Sequence, residues 1–328
     1  MRYGWILSLL LPAAAGAADF CDNAQIPVTT PLDEFEIHGD GTVTHERTRL
    51  MWSRCLIGQS GELCAGTPTV MPWDQALQAA ATAALAGYQD WRLPNRAELA
   101  SLVEFCRAGP SLNTMVFPAG SSAVWTGTPY AGLPGLAWVV RFDIGAALPF
   151  KHEAGAYVRL VRKVYSIGDR GPAGGIVFYD KGDDAGGWRY LEAAPRQWNA
   201  GEPDPWETWG CAGTLVGATA AAIGAGSDNT AILADPGCSA PARIAAAAEI
   251  NGYDDWFLPS RDELEAMHDN LATHTNFRDE HGFAVMSYAS STELDENSAV
   301  AIDFAGGGGA VLVSKSLATV VVRPVRAF

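Results

Sequence analysis

The 328-residue chain has no His-Glu-x-x-His pair, no Gly-x-Ser-x-Gly elbow and no phosphate-binding glycine loop. Motif support is therefore missing for a zinc hydrolase, a serine hydrolase and a nucleotide-dependent enzyme. No CxxC pair is present, so neither a zinc ribbon nor a thioredoxin-like redox site is indicated. Histidine is scarce. Of the six, His38, His45 and His152 are scattered, while His268, His274 and His281 come nearest to a cluster. These three fall on a polar helix end and loop and read as exposed side chains, not metal ligands. No apolar run approaches the ~20 residues of a membrane-spanning helix. Positive charge is also short, with 22 Lys and Arg against 37 Asp and Glu for a net charge of −15. That balance repels nucleic acid and most polyanions.

What is present begins with an export signal. Arg2, the apolar stretch Trp5 to Leu11 and the small residues Ala13 to Ala18 form a signal peptide over residues 1–18, with Asp19 as the first mature residue. An exported protein is expected, whether periplasmic, at the cell surface or secreted. Cys21, Cys55, Cys64, Cys106, Cys211 and Cys238 are an even set suited to disulfides in an oxidising compartment. Cys55 with Cys64 and Cys211 with Cys238 would close short loops and leave Cys21 for Cys106, although six cysteines allow 15 connectivities. The remaining length suits two domains, placed at residues 19–165 and 166–328.

Internal repetition supports that division. Gly87-Tyr-Gln-Asp-Trp-Arg-Leu-Pro-Asn-Arg-Ala-Glu-Leu99 recurs as Gly252-Tyr-Asp-Asp-Trp-Phe-Leu-Pro-Ser-Arg-Asp-Glu-Leu264, with nine of thirteen positions identical. Val158-Arg-Leu-Val-Arg162 is answered by Val322-Arg-Pro-Val-Arg326. Pro94 and Pro259 hold the preceding residues extended and permit a helix directly after them. Asn95 or Ser260 is the expected N-cap, with Glu98 or Glu263 as capping-box partner. Leu99, Leu102, Val103 and Phe105 give that helix an apolar face in the first copy, and Leu264, Met267 and Leu271 in the second. Alanine-rich helices are expected earlier, over Trp73 to Leu85 and Ala240 to Ile250. Strand-like runs follow at Val124 to Thr126, Ala137 to Phe142 and Tyr157 to Val161, with counterparts at Ser287 to Ser291, Ala299 to Phe304 and Val320 to Val325. Gly306 to Gly309 reads as a hairpin connection. The fold class is α+β, each domain combining two helices with a twisted antiparallel sheet.

The Gly-Tyr-x-Asp-Trp-x-Leu-Pro-x-x-x-Glu-Leu block, the Ala-Trp-x-x-x-Phe strand and the closing Val-Arg-x-Val-Arg resemble the C-terminal domain of the Legionella collagen-like (Lcl) surface protein family. The resemblance covers nearly all of the mature chain, twice. It implies a C-type-lectin-like fold with the first and last strands of each domain paired, and a role in adhesion or in binding glycans or extracellular proteins. Ala289 and Val300 stand where the first copy has Trp125 and Trp138, so an aromatic platform built on those tryptophans would belong to the first copy alone. The favoured reading is that both fill the core, with the platform as the alternative. Charge divides the same way: 14 acidic against 11 basic residues give −3 over 19–165, and 23 against 10 give −13 over 166–328. Arg141, Lys151, Arg159 and Lys163 would form any basic patch.

Calcium is the one cofactor to consider, with Glu293, Asp295 and Asp303 as candidate ligands beside Glu296. The Glu-Pro-Asn and Trp-Asn-Asp pattern of calcium-dependent lectins is absent there, and Glu202-Pro-Asp204 reads as a turn. The expectation is a non-catalytic binding or adhesion protein without a cofactor, using Trp125, Trp138, Arg141 and Lys151 to meet a glycan or an extracellular or envelope protein. A structural component of the envelope is the alternative. An enzyme of the formylglycine-generating type would instead need copper and reactive thiols.

Overall fold

Each copy of the repeated block turns on a pair of left-handed residues. In the computed structural model, which describes residues 18–21, 26–119, 122–234, 238–273, 280–317 and 319–328, Ala86 and Gly87 have φ of 56° and 84°, and Asn251 and Gly252 have 52° and 84°. Two consecutive positive φ values are what a tight two-residue hairpin turn needs. Leu85 and Tyr88 exchange backbone hydrogen bonds across the first turn, and Ile250 and Tyr253 across the second. Residues 1–17, and with them all but Ala18 of the expected signal peptide, lie outside the described residues, as does His274.

The chain divides into two units, one ending at Val164 and the next beginning at Tyr165. In chain order the first contains β1 (Ala18–Asp19), β2 (Phe35–Ile37), β3 (Thr42–His45), β4 (Leu50–Ser53), α1 (Trp73–Ala81), α2 (Arg96–Ala100), β5 (Arg107–Ala108), β6 (Ala123–Pro129), β7 (Leu136–Arg141), β8 (Ala146–Lys151) and β9 (Val161–Lys163). β2-β3-β4-β9 form one antiparallel sheet, β6-β7-β8 a second, and β1 pairs with β5. Alternation along β6 and β7 sends Val124 and Val140 into a core with Leu99 and Leu102 beside α2. Trp125, Ala137 and Val139 go to the other face, with Ala76 and Ala80 of α1.

The second unit contains β10 (Ile176–Asp180), β11 (Tyr190–Ala193), β12 (Trp206–Thr208), α3 (Gly226–Leu233), α4 (Ala240–Ala246), α5 (Arg261–Met267), a π-helical turn (His268–Ala272), β13 (Ser287–Glu293), β14 (Ser298–Asp303), β15 (Ala310–Ser314), β16 (Thr319–Val321) and β17 (Val325–Ala327). β10-β11-β17 and β12-β16-β13-β14-β15 are its sheets. Tyr288 and Ile302 face Leu264 and Met267 of α5, while Ala289, Ala299 and Ala301 face Ala242 and Ala245 of α4. In each unit the last strand returns to an early one, β9 to β4 and β17 to β11. The architecture is mixed α+β, dominated by sheet.

Both expected capping boxes are present. Asn95 and Ser260 accept from the amides of Glu98 and Glu263, whose carboxylates accept in return from the cap amides at 2.7 Å. Several boundaries differ from expectation. α1 stops at Ala81 and α4 at Ala246, because the chain must straighten to enter the left-handed turns. α2 ends at Ala100, and Phe105 is exposed instead of completing an apolar face. The chain leaves the helix there to deliver Glu104, which accepts from the amides of Thr29 and Thr30, and Cys106, bonded to Cys21. Cys55–Cys64 and Cys211–Cys238 are the other disulfides, so no cysteine is free. Gly306 to Gly309 connect β14 to β15 as a hairpin. Helix α3, which has no side-chain cap, has no counterpart among the expected elements.

Candidate binding face of the first unit

At the start of α2, the Arg96 amide donates to Thr128 Oγ1 at 2.9 Å. The Thr128 amide donates to Thr126 Oγ1, which in turn donates to the carbonyl of Trp138 at 2.8 Å. This chain of bonds ties the helix to β6 and β7, and the consequence is positional. The Arg96 guanidinium lies 4.1 Å from the Trp138 ring centroid, a cation–π contact. Tyr130 meets the same indole edge-on, with centroids 5.1 Å apart and planes at 71°. The Tyr130 ring runs so close over Gly132 that a Cβ there would lie 2.7 Å from it.

Arg96 is exposed, and among the described residues no carboxylate pairs with it. Its guanidinium carries five N–H donors on an exposed side chain that is already placed over an aromatic ring. Beside it an open pocket of about 470 Å³ is lined by Asn95, Arg96, Ala97, Ala100 and Thr128. The face therefore offers two half-buried aromatic rings, an exposed cation and a depression where α2 meets β6 and β7. Such preorganisation lowers the ordering cost of binding.

The second unit repeats the frame without the chemistry. The Arg261 amide donates to Thr292 Oγ1 at 3.0 Å, but its guanidinium turns to Asp262 and Glu265 on its own helix. Val300 stands where the first unit has Trp138. Residues 41–162 match the family described as the Lcl C-terminal domain. The Lcl C-terminal domain match thus includes the whole of this face and ends at Arg162, the final residue of the first Val-Arg-x-Val-Arg. No curated protein matches the chain.

Within the matched segment, the candidates read from the sequence separate. Trp125 is fully buried, donates to the Met71 carbonyl at 2.8 Å and packs edge-on against Phe150. The register, Trp125 opposite Val139 and Trp138 opposite Pro149, puts the two tryptophans on opposite faces of one sheet. They do not form a common platform. Lys151 shares the Trp138 face, with Glu153 3.8 Å away. Arg141 points to the other face and forms a two-bond pair with Asp143, which raises the guanidinium pKa and lowers that of the carboxyl. Arg159 is not part of a surface patch. It is fully buried, bonded to the carbonyls of Ser53, Arg54 and Ala119, and burial pushes its pKa down to about 9.

The calcium candidates are likewise occupied in other ways. Glu293 is buried against Lys315 and accepts from the amides of Val216 and Gly217. Asp295 accepts from the amides of Asn297 and Ser298, and Asp303 from that of Ala305. No trio of potential ligands that includes any of them converges among the described residues. The one trio that does, Cys21, Glu104 and Cys106, contains a disulfide. His268 and His281 are buried, contrary to the expectation of exposure. His268 packs edge-on against Phe304, and burial lowers the His281 pKa.

Sequence reasoning missed Arg96 and Tyr130 as members of this face. Arg96 is identical in both copies, and its distinguishing property is what lies across from it. Asp204, read as part of a turn, is a buried carboxylate bonded to Arg323, Tyr288 and Trp198.

Proposed function

We propose that the chain is an exported, non-catalytic binding or adhesion protein that meets an extracellular glycan or protein through the Arg96–Trp138–Tyr130 face. Its two units are read as tandem copies of one C-type-lectin-like domain, the first keeping the recognition surface and the second serving as a spacer or docking module. The observation that carries the proposal is the Arg96 guanidinium, laid on Trp138 without an acidic partner while its counterpart Arg261 is neutralised within its own helix. An aromatic face suits the C–H surface of a sugar ring or an apolar side chain, and an oriented guanidinium suits carbonyl, hydroxyl or carboxylate groups.

Export is supported by the three disulfides, which persist in oxidising compartments. Among the described residues, no helix is long and apolar enough to cross a membrane. The reading without catalysis rests on the cysteines, all of which are bridged, against the reactive thiols that an enzyme of the formylglycine-generating type would need. The test is a screen of the full chain against glycan and extracellular-protein arrays, with Trp138→Ala screened in parallel. Binding to a defined class that is lost in the variant supports the proposal. Binding that the variant retains refutes this face as its site, and no binding to either array favours a structural role in the envelope.

A further inference from the structure

A second cavity of the first unit, about 540 Å³, shares no lining residue with the Arg96 face. Its size falls in the range of roughly 300–1,000 Å³ of small-molecule sites. Leu56, Ile57, Ala79, Ala83, Leu85 and Leu160 supply apolar walls. Leu56 and Ile57 belong to the loop closed by Cys55–Cys64, which also lines the cavity through Gly58 to Gly61 and packs closely on its neighbours. A Cβ at Gly58, with φ of 95°, would lie 2.5 Å from Thr69 Oγ1, and Ser60 and Ala65 exchange backbone hydrogen bonds across the loop.

The cavity has a sign as well as a shape. Asp40 is the one charged residue lining it, and no lysine, arginine or histidine does. Oδ1 of Asp40 accepts from the amide and hydroxyl of Thr42 at 3.0 and 2.7 Å, leaving Oδ2 without a partner among the described residues. Residues Ala79 to Leu85 bring in the C-terminal end of α1, where the helix presents its negative pole. No cationic side chain lines the cavity to offset the repulsion that an anionic ligand would meet from Asp40, which stands exposed at its edge.

We propose that this cavity binds a small organic cation, its apolar body against the leucine and alanine wall and its ammonium donating to Asp40. The site is independent of the Arg96 face and of any partner bound there. The experiment uses the full chain with benzylamine as the probe, and benzyl alcohol and benzoate as controls of the same shape, followed by ligand-observed NMR and calorimetric titration. Saturable benzylamine binding is expected, weakened about tenfold by Asp40→Asn and abolished by Ala83→Phe, which fills the cavity. Ala84→Phe on the exposed side of the same wall replaces it if Ala83→Phe lowers the unfolding midpoint. Benzoate binding as well as benzylamine, binding indifferent to these substitutions, or no saturable benzylamine binding at millimolar concentration would each overturn the proposal.

Discussion

Arg162 Nε lies 2.5 Å from Asp90 Oδ1, and the same guanidinium stacks 4.0 Å from the ring centroid of Tyr88. Arg326 repeats the arrangement with Asp255 and, at 4.1 Å, Tyr253. The closing arginine of each unit is thus the physical partner of the Gly-Tyr-x-Asp-Trp block some seventy residues earlier. Two motifs that look independent in sequence are one contact in space.

Removing the carboxylate should therefore loosen the closure of a unit. Asp90→Ala is expected to lower stability by about 2 kcal/mol, less than the ~3–5 of a fully buried pair because Asp90 remains half exposed. The shift in the urea unfolding midpoint measures it. An unchanged midpoint would mean that the other contacts of Arg162, the Tyr88 ring among them, hold it without the carboxylate.

Lys315 and Glu293 form the most deeply buried ion pair of the second unit, both side chains fully enclosed. Lys315→Met strands the carboxylate and should cost about 3–5 kcal/mol, whereas Glu293→Gln combined with Lys315→Met should recover part of that loss. A double-mutant cycle on the unfolding free energies decides. Strict additivity would show that the two side chains are not coupled.

Glu104 gives a pH signature. Burial raises its carboxyl pKa, but the donors of Thr29 and Thr30 outweigh that effect and hold it below the ordinary 4.5. A depressed folded pKa contributes stability that is complete above the unfolded value and lost as pH falls through the folded one. Unfolding midpoints measured on descending from pH 6 should fall below about pH 4.5, with a shallower decline in Glu104→Gln. Parallel curves for the two proteins would remove Glu104 as a source of acid sensitivity.

Local features were the most legible. The capping boxes at Asn95 and Ser260 depend on four consecutive residues, and the strand-like runs Val124 to Thr126 and Ala299 to Phe304 fall on the strands Ala123–Pro129 and Ser298–Asp303 to within a residue or a few. Helix α3 was not legible, because it begins at Gly226 without a cap and its buried residues include Asn229 and Thr230. The binding face was half legible. Trp138 could be singled out by its loss in the second copy, but its coupling to Arg96 crosses from strand to helix and leaves no local trace. Asp204 eluded sequence reading for the same reason, since Arg323 reaches it across 119 residues.

The two tryptophans should respond to truncation in opposite ways. Trp125→Ala empties a buried site and is expected to cost about 3–5 kcal/mol. Trp138→Ala, at a half-buried site, should cost less, and thermal unfolding of the two variants separates them. Equal losses would mean that Trp138 also belongs to the core.

The central claim rests on the affinity of Trp138→Ala for whichever partner the arrays identify, titrated beside the parent protein and Arg261→Ala. The account predicts a loss of at least about tenfold for Trp138→Ala, with its unfolding midpoint close to that of the parent and with Arg261→Ala binding normally. Parent-like affinity in Trp138→Ala, or an equal loss in Arg261→Ala, would contradict it and move recognition away from the first unit's Arg96–Trp138 face.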